Sequence, residues 1–172
     1  MASELHVDAI KHSGGTSAMT IDSTGRVTTP ARPAFRAYNN TNGWVEQTHG
    51  STLPIAFNAT DYNIGSHYNT STYKFTAPVT GVYCFYATLY THADGNARYI
   101  YIQKNDAFYS GMIISNTTTM NQNGSLYDQL YLTANDTVRI AYHHTSDTAN
   151  SYYAGDSSAD GAYSFFCGHF IG

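Results

Sequence analysis

The chain is poor in charge and poorer still in the residues that make helices. Charged side chains are 12% of its 172 residues, and only two of them are glutamate, Glu4 and Glu46. Lys and Arg are scattered singly and the net charge is −4, which provides no electrostatic footprint for a nucleic acid. No run approaches the ~20 apolar residues that span a bilayer, so no membrane insertion is expected. The first residues, MASELHVDAIKHSGG, hold no apolar segment of signal-peptide type, and synthesis in a cytosol is the expectation.

Cysteine is scarce too. Cys84 and Cys167 cannot form a zinc site by themselves. Paired, they would close a loop of about 80 residues worth roughly 4–5 kcal/mol in the chain-entropy model. A cytosolic redox poise argues against pairing, and two buried free thiols are expected. Asn-x-Ser/Thr sequons at Asn58, Asn69, Asn116 and Asn135 read as polar strand surface.

What is present is 16 Tyr, 8 Phe and many Thr, Ser, Asn and Gly. Aromatic and β-branched residues favour strands, so the composition is all-β. Strands are expected at Ala34–Tyr38, Leu53–Phe57, His67–Thr76, Gly81–Tyr90, Arg98–Lys104, Phe108–Ile114, Ser125–Leu132, Thr137–His144 and Ala162–Ile171. In Gly81–Tyr90, Tyr83, Phe85, Ala87 and Leu89 alternate with Cys84, Tyr86, Thr88 and Tyr90. Successive strand residues point to opposite faces, so both faces of this strand need cover.

Residues 1–32 differ from the rest. LHVDAI alternates, and AMTIDSTGRVTTP reads as strand, turn, strand, with Asp22 and Gly25 at the first and fourth positions of a type I turn. Thr29–Pro33 is a stiff connector. The division is a β arm over 1–32 and a jelly-roll sandwich over 33–172.

Chemistry-bearing motifs are few. Gly155-Asp156-Ser157 has the look of a hydrolase nucleophile turn but has no base or oxyanion motif beside it, and reads as a polar turn. Asp156 and Asp160 fall on alternate oxygen positions before Gly161, as in the first half of a calcium loop, but the closing Glu is replaced by Cys167. No cofactor is expected; the alternative is a Ca²⁺ on Asp156 and Asp160. His143 and His144 point to opposite faces, one packed and one at the surface. No paired carboxylates, phosphate loop or nucleophile–base set occurs, so an enzyme is not expected.

The order of motifs adds a resemblance. Pro33-Ala34-Phe35, Ile55–Asn58, Tyr73–Pro78, Gly81-Val82-Tyr83-Cys84-Phe85, Asp136-Thr137-Val138 and Phe166-Cys167-Gly168-His169-Phe170 run in the order of the globular C1q family, related in fold to tumour necrosis factor. The chain resembles that family over about residues 33–172, with Asn135 for the turn glycine, Cys167 for a serine and His169 for a phenylalanine. The resemblance implies a homotrimeric jelly roll of about ten antiparallel strands, with both chain ends at its base. It places the central and last strands side by side in the sheet facing the threefold axis. Tyr83, Phe85 and Phe166 would then fill the core, and Cys84, Tyr86, Tyr90, Cys167 and His169 would face the trimer contact.

SGGTSAMTIDSTGRVTTPARPAF is similar to the Ile-Asp-Ser-x-Gly-Arg-Val stretch that precedes knobs in bacteriophage tail and virion fibres. Together the two resemblances imply a virion adhesin whose arm attaches to a fibre or other virion component. Its loops at Asn39–Ser51, Thr91–Asn96, Ser115–Gly124 and Thr145–Asp160 would meet a bacterial surface glycan or protein. The receptor-contact candidates are Trp44, His49, His92, Asp94, Asn116, Asn121, Asp147, Tyr152, Tyr153 and Asp156. Rings that cover apolar faces beside amides and carboxylates that fix hydroxyls suit this role. A capsid decoration protein and a soluble glycan-binding recognition protein are the alternatives.

Overall fold

The computed structural model describes residues 6–48, 50–92, 96–115, 121–145, 151–156 and 162–172. Among them every regular element is a strand. The first three are β1 (Ala9–Lys11), β2 (Ser17–Ile21) and β3 (Val27–Thr28), an antiparallel meander in the order β1-β2-β3. The β2–β3 connection is the anticipated Asp22–Gly25 turn. Gly25 N–H donates to the Asp22 carbonyl, the Asp22 carboxylate accepts from the Thr24 and Arg26 amides, and Gly25 takes φ +81°. That is a type I turn closed by a left-handed glycine bulge. Arg32 then ties the connector to the chain's far end, donating to the Ile171 carbonyl with its guanidinium 5.7 Å over the Phe170 ring.

The remaining strands are β4 (Ala34–Tyr38), β5 (Gly43–Gln47), β6 (Thr52–Pro54), β7 (Ala59–Ile64), β8 (Tyr68–Asn69), β9 (Lys74–Thr76), β10 (Gly81–Thr91), β11 (Arg98–Lys104), β12 (Ala107–Ser115), β13 (Gln122–Leu132), β14 (Thr137–His144), β15 (Ser151–Gly155) and β16 (Phe165–Phe170). They make two antiparallel sheets, β5-β15-β10-β16-β4-β7 with β13 on the other edge of β10, and β12-β11-β14-β9-β8 with β6 on β14. This is the jelly-roll sandwich expected from the composition.

Between the sheets lie Phe35, Tyr68, Phe75, Tyr83, Phe85, Phe166, Ile100, Ile102, Leu130 and Ile140, all buried. The Phe35 ring is the hub. It stacks on Tyr68 at 4.8 Å and on Phe75 at 5.2 Å, and meets Phe166 edge-on at 4.9 Å. Such aromatic pairs add about 0.5–1.5 kcal/mol each beyond the area they bury. Cys84 and Cys167 are free thiols on the opposite face.

Several strand boundaries differ from expectation, each for a local reason. The strand expected at Leu53–Phe57 is β6, which ends at Pro54; Ile55 and Phe57 are buried in irregular chain instead. His67–Thr76 divides into β8 and β9, because Tyr73 takes φ +59°, a left-handed conformation no strand continues through. The last strand starts at Phe165 rather than Ala162. Strands β5, β7 and β15 fall in segments expected as connections, and their short, mixed-polarity sequences carry weak periodicity. The tight turn between β11 and β12 is Asn105-Asp106, both at positive φ, as a type I′ hairpin requires. Asn135 takes φ +75°, so the residue standing for the family's turn glycine adopts a glycine-like conformation that asparagine tolerates.

Strand registers place two ends. Thr91 faces Gln122 and Tyr153, Arg98 faces Ser115 and His144, and Tyr38 faces Phe165 at one end. At the other, Gly81 faces Leu132, Lys104 faces Val138, and Ala34 faces both His169 and Ile64. Both the start of β4 and the carboxyl end of β16 lie at this second end, the base. Expected loop segments therefore begin and end at the distal end.

Candidate functional site

The distal site is built on β5 and β15, which pair from Gly43–Gly155 to Gln47–Ser151. Alternation along β5 turns Val45 and Gln47 inward and leaves Trp44 and Glu46 outside. The same alternation decides Tyr153. It pairs with Val45, is fully buried, and accepts hydrogen bonds at its hydroxyl from the Ala56 amide (3.3 Å) and Asn39 Nδ2 (3.4 Å). Burial also raises its hydroxyl pKa. Tyr153 is a core residue, and its proposed receptor contact is corrected on that ground. Neighbouring Tyr152 points the other way and reaches Glu46 with its hydroxyl at 3.4 Å.

Trp44 heads a row of rings. It stacks on Tyr90 at 5.7 Å and 22°, Tyr90 meets Tyr163 at 5.5 Å and 30°, and His92 approaches Trp44 edge-on at 5.3 Å. Beside the row is a cavity of about 290 Å³ whose lining among the described residues includes the polar side chains of Asn42, Asn121 and Asp156. The position of Asp156 is set from below. Its amide donates to the Asn39 carbonyl, while the buried Asn39 side chain accepts from the Thr41 amide and donates to the Ala56 carbonyl. Gly155 is obligatory here, since a Cβ would lie 2.6 Å from Asn39 Oδ1 and run into the Thr41 carbonyl.

Three sequence candidates, Trp44, Asn121 and Asp156, thus meet in one cavity, with His92 and Tyr152 beside it. His49, Asp94, Asn116 and Asp147 lie outside the described residues, as does the calcium candidate Asp160. Tyr90, a trimer-contact candidate, is a wall of this cavity. Tyr163 and Asn42 were missed by sequence reasoning. Tyr163 had been counted into the last strand, and nothing in its neighbourhood marks a ring 59% exposed beside a cavity.

The charge around the cavity is one-sided. Of the eight basic residues, Lys11, Arg26 and Arg32 are in the arm or its connector. Lys74, Lys104 and Arg139 pair with Asp106 and Asp136 at the base. Arg36 lies 4.5 Å over the Phe165 ring. Arg98 alone stands at the distal end, and it is fully buried, donating to the His92 carbonyl.

A second feature crosses the outer face of the β10 sheet. In register, Tyr62 on β7, Arg36 on β4, Cys167 on β16, Tyr86 on β10 and Tyr127 on β13 form one continuous row, and Ile64, Ala34, His169, Cys84 and Gln129 form the next. Tyr127 is 57% exposed, and Tyr131 near it 63%. Burial raises the Cys167 thiol pKa above its ordinary value. A larger groove, about 700 Å³, crosses the opposite sheet between Tyr99, Tyr101, Phe108 and Ile113; none of the candidates among the described residues lines it.

No curated protein sequence is significantly similar to the chain. Among solved structures, the globular domain of zebrafish complement 1qA protein is 19% identical, superposes with a TM-score of 0.60, and is matched over 81% of this chain and 98% of its own. The tumour necrosis factor Eiger from S. frugiperda is 16% identical with a TM-score of 0.62, over 83% and 94% of the two chains. Murine APRIL at pH 5.0 is 8% identical with a TM-score of 0.62, over 81% and 99%. At such identities these likenesses speak for the fold. Residues 34–171 match the C1q domain family, and the chain belongs to that family.

Proposed function

We propose that the chain is a homotrimeric, non-enzymatic recognition knob on a bacteriophage virion, meeting a bacterial surface glycan or protein with its distal end. The observation that carries this reading is the separation of two exposed aromatic surfaces, one on the β10 sheet and one at the distal end. One is the row Tyr62–Tyr86–Tyr127 across five strands, a surface of the kind monomers rarely leave open. The other is the Trp44 cavity at the end away from the start of β4 and the carboxyl end of β16. Trimeric assembly is typical of C1q and tumour-necrosis-factor domains, and it supports closing the first site against itself. Recognition is then left to the second, repeated three times so that a weak single contact gains avidity.

Residues 1–32 act in this reading as the attachment arm and 33–172 as the knob. The short β1-β2-β3 meander supports it: so small a sheet buries too little to stand alone and gains by docking on another chain. Electron microscopy of gold-labelled protein, applied to phage particles and to bacterial cells, tests the assignment. Label on cells of a susceptible strain is expected. Label confined to particles would make the chain a capsid decoration protein instead.

A further inference from the structure

Resting on that reading of the distal end, we infer that the Trp44 cavity is a monosaccharide subsite that takes a neutral or amine-bearing pyranose and rejects anionic sugars. The cavity's size fits one sugar unit: its 290 Å³ stands at the lower edge of the roughly 300–1,000 Å³ typical of small-molecule sites. Its lining divides as pyranoses divide. Trp44 and Tyr163 offer rings 42% and 59% exposed for the C–H face of a sugar. Asn42, Asn121 and Asp156 supply amide donors and carbonyl and carboxylate acceptors for hydroxyls. The rings stand in a row, Tyr90 contacting both Trp44 and Tyr163, rather than around a point as in a cage for a quaternary ammonium.

Selectivity follows from charge. Among the described residues, Asp156 is the one charged side chain lining the cavity. The whole chain has eight Lys and Arg residues, and the only one at this end, Arg98, is fully buried. A sugar carboxylate or phosphate would therefore be desolvated beside Asp156 with no exposed Lys or Arg to meet it, whereas hydroxyls and an ammonium find acceptors.

Trp44 is the only tryptophan in the chain, so its emission reports on this cavity directly. The test titrates the full chain with methyl glycosides of mannose, glucose, galactose, N-acetylglucosamine and glucosamine, and with glucuronic and N-acetylneuraminic acids. A saturable emission shift is expected with at least one neutral or amine-bearing glycoside, and the acidic sugars should bind at least about tenfold more weakly. Asp156→Asn and Tyr163→Ala, both of which keep the reporter, should each weaken binding about tenfold or more with an unchanged melting temperature. No shift with any sugar, equal binding of the acidic ones, or unaffected variants would overturn the inference. Adsorption of the same proteins to bacterial cells separates the two claims. Wild type and variants that adsorb equally well, with no sugar response, would remove the subsite and leave the adhesin reading. A sugar response with no adsorption to any strain would do the reverse.

Discussion

The Phe85 ring on β10 lies against the backbone of Gly168, its register partner on β16. A Cβ built at Gly168 would stand 2.5 Å from Phe85 Cδ1 and 3.0 Å from Phe35 Cε1. Both rings are held in the aromatic cluster by Phe75 and Phe166, so neither has room to retreat. Gly168→Ala should destabilise the knob by about 1–3 kcal/mol through overpacking. Chemical denaturation compared with wild type checks this, and a loss below about 0.5 kcal/mol would contradict the packing described.

The two adjacent tyrosines on β15 should separate cleanly. Tyr153→Phe leaves the ring in the core but removes the acceptor for the Ala56 amide, a loss of about 1–3 kcal/mol for a buried group left unpaired. Tyr152→Ala, on the outer side, should change stability by no more than about 1 kcal/mol. Denaturant midpoints of the two variants give the comparison.

Asp136 anchors the turn before β14. Its carboxylate accepts from Asn105 Nδ2 at 2.8 Å and from the Thr133 amide at 2.8 Å, and meets Lys104 Nζ at 2.9 Å. These partners, the Asn105 bond foremost, lower its pKa from 3.8 to about 2. Because the folded value lies below the unfolded one, the stabilisation is present above pH 4 and is lost as pH falls from 3.8 through about 2. With solvent screening it is worth about 1–2 kcal/mol. Asp136→Asn should cost that amount at pH 7 and progressively less below pH 4, measured by denaturation across the range.

Tyr127 is exposed in the single chain, so Tyr127→Asp should leave the fold intact while placing a charge in the proposed trimer contact. Unchanged far-ultraviolet circular dichroism together with a lower assembled mass is the expected pair of results.

The central strand and its two-faced character were legible because β10 runs unbroken over eleven residues, with burial that alternates except at Thr88. The family resemblance, laid over that alternation, put Tyr83, Phe85 and Phe166 in the core, and all three are buried. The same reasoning failed for Tyr153 because β15 was read as loop: five residues, SYYAG, carry too little pattern to reveal which tyrosine turns inward. The distal cavity was visible only in part. Trp44, Asn121 and Asp156 stand out as polar-loop residues, but their meeting depends on the β5–β15 pairing and on Asn39 beneath, neither of which has a local sequence signal. Tyr90 shows the limit of facing alone: it shares a face with Cys84 and Tyr86 but sits further along the same strand, against Trp44.

The central claim is that the outward row on the β10 sheet is closed by two further copies of the chain. Sedimentation equilibrium of the full chain at low micromolar concentration tests it most directly. A single species of three times the 18.9 kDa chain mass is predicted, unchanged on dilution. A stable species of 18.9 kDa over the same range would contradict it.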